Sequence, residues 1–238
     1  AEFIAAEEMG RMRGYWWSPD SEHIAACRVD VAHVPVWYIA DPAHPELPAV
    51  EHRYPAAGAT NATVSLHVFT LANGKRTDVQ LGDSWEYLNS VSWSTGGFIA
   101  QTQTRNQRHV DVHLINHDSG ESTIVFTDED DAWVELVPGV PALLSDGRLV
   151  TCADRDGVRR LVVDERSATP DHLQVRGVIC VGATIVFAAN DTSTPWIQDV
   201  YSFDTHSGAL SQITNSGGMA TASGNADVLV TRTSTVEK

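Results

Sequence analysis

The sequence predicts an all-β protein built from short hairpins. Alternating apolar and polar residues, the pattern of half-buried strands, recur in segments such as 63–69, 110–115 and 199–204. Turn sequences that contain glycine separate these segments. They are Asn73-Gly74, Asp118-Ser119-Gly120, Asp146-Gly147, Asp156-Gly157 and Ser207-Gly208. Helical periodicity is hard to find beyond about the first dozen residues, so helices contribute little to the fold.

A degenerate repeat runs through these hairpins and favours a β-propeller. Each unit has a turn, an apolar strand, a polar turn and an alternating strand. After a longer first interval the units recur at about the 40 to 50 residues of a four-stranded blade. The unit starts lie near Trp17-Ser18-Pro19, Trp93-Ser94-Thr95, Leu144-Ser145-Asp146, Val181-Gly182-Ala183 and Ala222-Ser223-Gly224. A β-sandwich also consists of short strands with regular turns, and it is the alternative.

The length predicts an incomplete propeller. At this blade size, 238 residues make about four to five blades, whereas closure commonly takes about 6 to 8. The proline-rich segment 41–48 lengthens the first interval, and it cannot lie in a central strand. We therefore expect residues 1–238 to form one partial β-propeller domain of a longer protein.

Composition argues against nucleic acid and membrane as partners of this segment. With 16 basic and 31 acidic residues the net charge is -15, which repels phosphate backbones and anionic lipid. No stretch approaches the roughly 20 apolar residues of a membrane-spanning helix. Cys27, Cys152 and Cys180 lie in apolar runs and are expected to be buried free thiols, which favours a reducing, cytoplasmic compartment without determining it.

Three motifs follow one another in the first third of the chain. An acidic pair, a short link and an aromatic triplet span 7–20, Val-Pro-Val-Trp-Tyr follows at 34–38, and Arg-Tyr-Pro-Ala-Ala-Gly begins at Arg53. Together they resemble the dipeptidyl peptidase IV family of prolyl oligopeptidase-type serine peptidases. Beyond Phe69 the resemblance weakens to blade-like patterning. It implies an eight-bladed propeller that caps an α/β-hydrolase domain, of which this chain is the later half of the propeller.

The resemblance assigns a role to Glu7 and Glu8. Two adjacent glutamates alone would be interpreted as a solvated helix face. In the family, however, the matching stretch is a short helical insertion that projects into the cavity between the two domains, and residues 5–9 are good helix formers. Two carboxylates could there accept hydrogen bonds from the ammonium group of a peptide. An ammonium held at a fixed distance from the nucleophile would leave room for two residues, so the products would be dipeptides, and the resemblance implies that these are Xaa-Pro and Xaa-Ala.

The catalytic residues are not expected in this segment. It contains no Gly-x-Ser-x-Gly sequence, and the nearest approach, Gly82-Asp83-Ser84-Trp85-Glu86, lacks the second glycine. The Ser-Asp-His triad would belong to the C-terminal α/β-hydrolase domain of the same protein, so this segment alone should be inactive. The alternative function is a non-catalytic propeller that acts as a protein-binding scaffold.

No cofactor or metal is expected. His109, Asp111 and His113 alternate along a strand and could bind a metal, but a solvated sheet face is the preferred interpretation. Trp16, Trp17, Trp37 and Tyr38 are expected to pack between blades. Unpaired blade faces invite self-association, so the expected partners are peptides with a free N-terminus, the hydrolase domain and a second copy in a homodimer.

Overall fold

A computed structural model describes residues 3–225 and 227–235 and confirms the all-β prediction. Its helix is α1 (Phe3–Glu7). The strands are β1 (Tyr15–Trp17), β2 (His23–Asp30), β3 (Val36–Ile39), β4 (Val50–Arg53), β5 (Thr63–Thr70), β6 (Arg76–Asp78), β7 (Tyr87–Ser94), β8 (Gly97–Gln103), β9 (His109–Ile115), β10 (Ser122–Glu129), β11 (Ala142–Leu143), β12 (Leu149–Arg155), β13 (Val158–Val163), β14 (Arg166–Ser167), β15 (Leu173–Cys180), β16 (Thr184–Asp191), β17 (Gln198–Asp204), β18 (Leu210–Gln212), β19 (Met219–Gly224) and β20 (Leu229–Ser234). No helix within the described ranges is long and apolar enough to cross a bilayer.

The strands form sheets in which neighbours in the sheet are mostly neighbours in the chain. The first three sheets have four strands each, in the orders β1-β2-β5-β6, β7-β8-β9-β10 and β11-β12-β13-β14. The last contains β15 to β18, and one parallel pair, Gln198 with Met219, joins it to the β19–β20 hairpin. Such four-stranded sheets are the units from which propellers are built. The total of eight blades stays a prediction.

Four of the five repeat starts found in the sequence mark the first turn of a sheet. These four lie at the turns after β1, β7, β11 and β15, and the fifth, Ala222-Ser223-Gly224, lies at the end of β19 within the last sheet. The predicted glycine turns are also turns here, and Gly74 and Gly120 illustrate why glycine is required. Both have positive φ, 68° and 80°. At Gly120 a Cβ atom would also lie 2.1 Å from the carbonyl oxygen of Asp78, so no other residue fits without rearrangement.

The described chain divides into two compact units. The first comprises Ala1–Val91 and Ala100–Val134, and the second comprises Ser92–Ile99 and Glu135–Lys238. Leu66, Val68 and Leu88 are among the fully buried side chains of the first unit. In the second, apolar side chains from β12, β13, β15, β16 and β17 form one hydrophobic cluster. In the cluster of the second unit the buried residues alternate along β12, β13 and β16, as the period of two predicts.

The aromatic residues expected to pack between blades are largely exposed. Trp17 and Trp37 are each 52% exposed and Tyr38 is 66% exposed, while Trp16 is half-buried. Trp37 and Tyr38 belong to the β3–β4 hairpin, which is inserted between β2 and β5. Because β2 and β5 pair directly with each other, the hairpin leaves the sheet and its side chains face solvent.

The cysteines agree with the prediction only in part. None of the three, all within the described residues, forms a disulfide. Cys152 is buried, and burial raises the pKa of its thiol to about 12, so it is inert as a nucleophile. Cys27 and Cys180 are partly exposed, which corrects the expectation that all three would be buried.

Candidate functional site

Helix α1 carries the acidic pair at its C-terminal end. Glu7 is its last residue, and Glu8 lies in the following turn with its N–H donating to the carbonyl of Ile4 at 2.9 Å. Gly10, with φ of 62°, follows in the left-handed conformation that often ends helices. Both glutamates are exposed, whereas Ala5 is fully buried. The short helix is confirmed, and a role for its carboxylates in a chamber stays a prediction.

Helix α1, the β3–β4 hairpin and the segment after Arg53 meet at Tyr54. Its ring makes edge-to-face contacts with Phe3 of the helix, at a centroid distance of 5.0 Å, and with Trp37 of the hairpin, at 5.7 Å. Its N–H donates to the carbonyl of Pro35 at 3.0 Å. Edge-to-face ring pairs are worth about 0.5 to 1.5 kcal/mol each beyond the area they bury. The helix, the hairpin and the segment after Arg53 therefore form one local structure.

Two small cavities adjoin this structure and share Asn61 and Ala62. The first, of 170 Å³, is lined by Phe3, Ile4, Val31, Val34, Arg53, Pro55, Asn61 and Ala62. The second has a volume of 370 Å³ and contains the Glu86–Arg105 ion pair, with a separation of 3.4 Å. The side-chain amide of Asn61 donates to Glu86 at 3.0 Å. Polar contacts thus continue from the structure around Tyr54 to Glu86, the residue before β7.

Arg11 is a site residue that sequence reasoning missed. It follows the acidic pair closely, yet it is only 6% exposed. Its Nε donates to the carbonyl of Leu88 in β7 at 2.9 Å, and a terminal nitrogen donates to the carbonyl of Arg13 at 3.2 Å. Its own N–H donates to the carbonyl of Ala5 at 2.8 Å. An arginine in a polar run is usually exposed, so no local signal marked this one as buried.

A further cavity lies elsewhere, beside β9 and β10. Its volume is 730 Å³, and it is lined by Thr104, Asn106, Arg108, His109, Glu129, Asp130, Asp131 and Ala132. His109 lies between two carboxylates, with 3.0 Å from Nε2 to Asp111 and 2.8 Å from Nδ1 to Glu129. The acidic pair does not line this cavity.

The predicted solvated face of β9 is wrong. Asp111 is 5% exposed and His113 is 3% exposed, and only His109 of the three is partly open. The reason is that β9 is an inner strand, between β8 and β10, and consecutive residues on both of its faces are buried. His113 is satisfied by Thr102, whose hydroxyl lies 2.9 Å from Nε2, and burial lowers the pKa of His113.

Comparison with solved structures establishes the class of fold. The crystal structure of Porphyromonas gingivalis dipeptidyl peptidase 4 matches 97% of this chain with a TM-score of 0.82 at 20% identity, and 35% of that chain is covered. A putative dipeptidyl aminopeptidase IV from Bacteroides ovatus matches 92% of this chain with a TM-score of 0.72 at 18% identity, covering 36% of that chain. The fold is thus shared with these proteins.

Sequence comparison then gives the family. The model of the dipeptidyl peptidase IV N-terminal region matches residues 1–238, so the chain belongs to this family. Venom dipeptidyl peptidase 4 of Apis mellifera is 25% identical over 224 residues, which is 82% of this chain and 29% of the relative. A probable dipeptidyl peptidase 4 of Aspergillus fumigatus is 34% identical over 107 residues, 40% of this chain and 14% of the relative. The chain therefore spans less than a third of these two relatives.

We expect Arg11→Lys to weaken the attachment of the segment after helix α1 to β7. Lysine keeps the positive charge but loses the planar set of donors, which leaves the carbonyl of Leu88 without its side-chain donor. An unsatisfied buried group costs about 1 to 3 kcal/mol, so the melting temperature should fall measurably in calorimetry. Arg13→Lys is the matched control, because Arg13 is exposed and two residues away. Equal melting temperatures for the two variants would contradict the anchoring role.

His109 should make stability depend on pH. Burial alone would lower its pKa, but hydrogen bonds to Glu129 and Asp111 outweigh burial and raise the pKa above the ordinary value of 6.5. Its charged form therefore stabilises the fold fully below about pH 6.5, and that stabilisation is lost as pH rises through the folded-state pKa. His109→Gln should lower the melting temperature more at about pH 6 than at about pH 9. A loss that does not change with pH, or an equal trend in the exposed-site control His172→Gln, would refute this prediction.

Proposed function

We propose that this chain binds the free N-terminus of peptide substrates for a serine dipeptidyl peptidase, with Glu7 and Glu8 as the binding residues. The observation that carries the proposal is the position of the pair: two adjacent exposed carboxylates at the end of a helix anchored by Arg11 and Tyr54. Membership of the dipeptidyl peptidase IV N-terminal family supports it, as do the names of the relatives.

The position of the pair on the helix favours a cationic ligand. The C-terminal end of a helix carries partial negative charge, so acidic side chains there are unfavourable for the helix itself. Helix α1 has no basic residue in its last turn to compensate. A substrate ammonium would supply the missing positive charge and could donate a hydrogen bond to each carboxylate. Binding of the ammonium would therefore offset the unfavourable electrostatic energy of the two carboxylates at the C-terminal end of the helix.

The same grip explains how product length would be set. The ammonium is held at one point, and the scissile bond must reach a nucleophile in the α/β-hydrolase domain of the same protein. If that distance fits two residues, the products are dipeptides such as Xaa-Pro and Xaa-Ala. In this proposal the chain supplies recognition and the hydrolase domain supplies the catalytic triad.

Glu7→Gln and Glu8→Gln, each made in the full-length protein, test the proposal. A charge-assisted hydrogen bond contributes about 1.5 to 3 kcal/mol, so each variant should lower kcat/KM for Xaa-Pro chromogenic substrates by about 10- to 100-fold. Phosphonylation of the catalytic serine by a small phosphonate ester that lacks an amine, with loss of the ester's leaving group, should be unchanged. Glu165→Gln is the control, because Glu165 is also an exposed glutamate.

The outcomes separate the possible explanations. Equal loss of hydrolysis and phosphonylation would point to misfolding, and unchanged hydrolysis in both variants would refute the binding role. A correctly folded full-length protein that does not react with the phosphonate would favour the alternative function, a non-catalytic scaffold.

The β3–β4 hairpin supports self-association as a further part of the proposal. Trp37, Tyr38, Ile39 and Val50 are each more than half exposed on it. An isolated two-stranded hairpin is marginally stable, and exposed apolar patches of this kind mark interaction sites. Arg53 fixes the base of the hairpin by donating to the carbonyls of Ala32 and Val34. We propose that the hairpin packs against a second copy in a symmetric homodimer.

Replacing the two aromatic residues of the hairpin tests this association. The double variant Trp37→Ser with Tyr38→Ser should shift the full-length protein from dimer toward monomer in sedimentation velocity. Trp196→Ser removes an aromatic residue that is 71% exposed and lies outside the hairpin, so it should leave the dimer intact. An unchanged dimer in the double variant would place the interface elsewhere.

A further inference from the structure

His23, His117 and Asp118 bring three potential metal ligands together. One ligand atom from each lies within 4.8 Å of the others. The two imidazole rings are in edge contact, with centroids 4.8 Å apart, and Nε2 of His117 is 3.8 Å from a carboxylate oxygen of Asp118. A second carboxylate adjoins the group, since an oxygen of Asp20 lies 4.0 Å from Nδ1 of His23. Neither the family assignment nor the proposed peptide binding uses these residues.

The β1–β2 turn fixes one half of the group. The N–H of Ser18 donates to the carbonyl of His23 at 3.0 Å, and the N–H of His23 donates back to the Ser18 hydroxyl oxygen at 2.9 Å. The Asp20 carboxylate accepts from that hydroxyl and from the N–H of Glu22. These hydrogen bonds fix the main chain of His23, and its side chain is nearly buried, with 8% of the residue exposed.

The β9–β10 turn fixes the other half. The side-chain oxygen of Asn116 accepts from the N–H groups of Asp118 and Ser119, at 3.0 and 3.2 Å. The next residue, Gly120, accepts at its carbonyl from the N–H of Gln80 at 2.8 Å, and its α-carbon lies so close to the strand before Gln80 that no side chain fits. This turn is therefore held against the first sheet, with its histidine beside His23.

We propose that these residues bind a divalent transition-metal ion of the zinc class. Two imidazoles with carboxylate oxygens are a donor set that suits Zn²⁺ and its neighbours, and the carboxylates of Asp20 and Asp118 balance the ionic charge. Tetrahedral zinc needs ligand atoms about 3.3 Å apart, so the group must close by roughly 1.5 Å. The side chains of His117 and Asp118 are 39% and 80% exposed and have room to rotate. Lys75 donates to the main-chain carbonyl of Asp118, at 3.2 Å.

The bound ion would cross-link two turns that are far apart in the sequence. His23 begins β2 in the first sheet, and His117 lies between β9 and β10 in the second. A ligand that binds only the folded state stabilises it in proportion to its concentration and affinity. The site is therefore a structural clamp between these sheets, and it works whether or not the acidic pair binds peptides.

Zinc titration of the full-length protein tests the site. After chelator treatment and dialysis, calorimetric titration with Zn²⁺ should show one ion bound whose affinity falls by more than about 10-fold in His117→Gln and in Asp118→Asn. Zn²⁺ should also raise the melting temperature of the wild type and leave that of His117→Gln unchanged. Because Asp118 is highly exposed, Asp118→Asn folds even if the histidine variant does not.

His44→Gln is the matched control. His44 forms an exposed pair with Glu46, at 3.3 Å, and it does not belong to the group of His23, His117 and Asp118. This variant should bind Zn²⁺ as the wild type does. A wild type that takes up no Zn²⁺, or variants at His117 and Asp118 that bind it with wild-type affinity, would overturn the proposal.

Discussion

The placement of the acidic helix depends on one buried guanidinium group. A helix of five residues is too short to be stable by itself, since the first turn costs more conformational entropy than its hydrogen bonds return. Arg11 compensates by joining the turn after the helix to the main chain of β7. Burying a charged side chain is costly unless its donors are satisfied, and here main-chain carbonyls accept from it. The position of the exposed carboxylates of Glu7 and Glu8 is therefore set by the contacts of Arg11, and not by contacts of the carboxylates themselves.

Tyr54 provides the second attachment of the helix, because it joins the helix to the β3–β4 hairpin. Tyr54 contacts the helix through Phe3, the hairpin through Trp37, and the residue before β3, Pro35, through its main-chain N–H, so it constrains all three at once. Changing any one partner would move the others. The two ring contacts of Tyr54 therefore fix the helix that ends at Glu7 relative to the hairpin.

The local parts of the fold could be predicted from the sequence, and the long-range parts could not. Strand period and glycine turns are encoded by neighbours in the chain, so the turns after β1, β7, β11 and β15 and the all-β class were predictable. Which strand becomes an inner strand depends on pairings between distant segments, and this is why Asp111 and His113 were wrongly expected to face solvent. The burial of Arg11 and the meeting of His23 with His117 arise in the same way. The acidic pair was identified through family resemblance, because two adjacent glutamates carry no signal of their own.

The β3–β4 hairpin can change without disturbing the sheet from which it extends. Its flanking strands pair along their whole length from His23 with Thr70 to Asp30 with Thr63, as if the intervening residues were absent. A change in the length or the sequence of the inserted hairpin therefore leaves this pairing intact. Arg53 and Tyr54 are the exceptions in the hairpin region, because Arg53 donates to the carbonyl of Val34 and Tyr54 contacts helix α1. Changes in the distal part of the hairpin can therefore alter the exposed apolar surface of Trp37 and Tyr38 without altering the helix that carries Glu7.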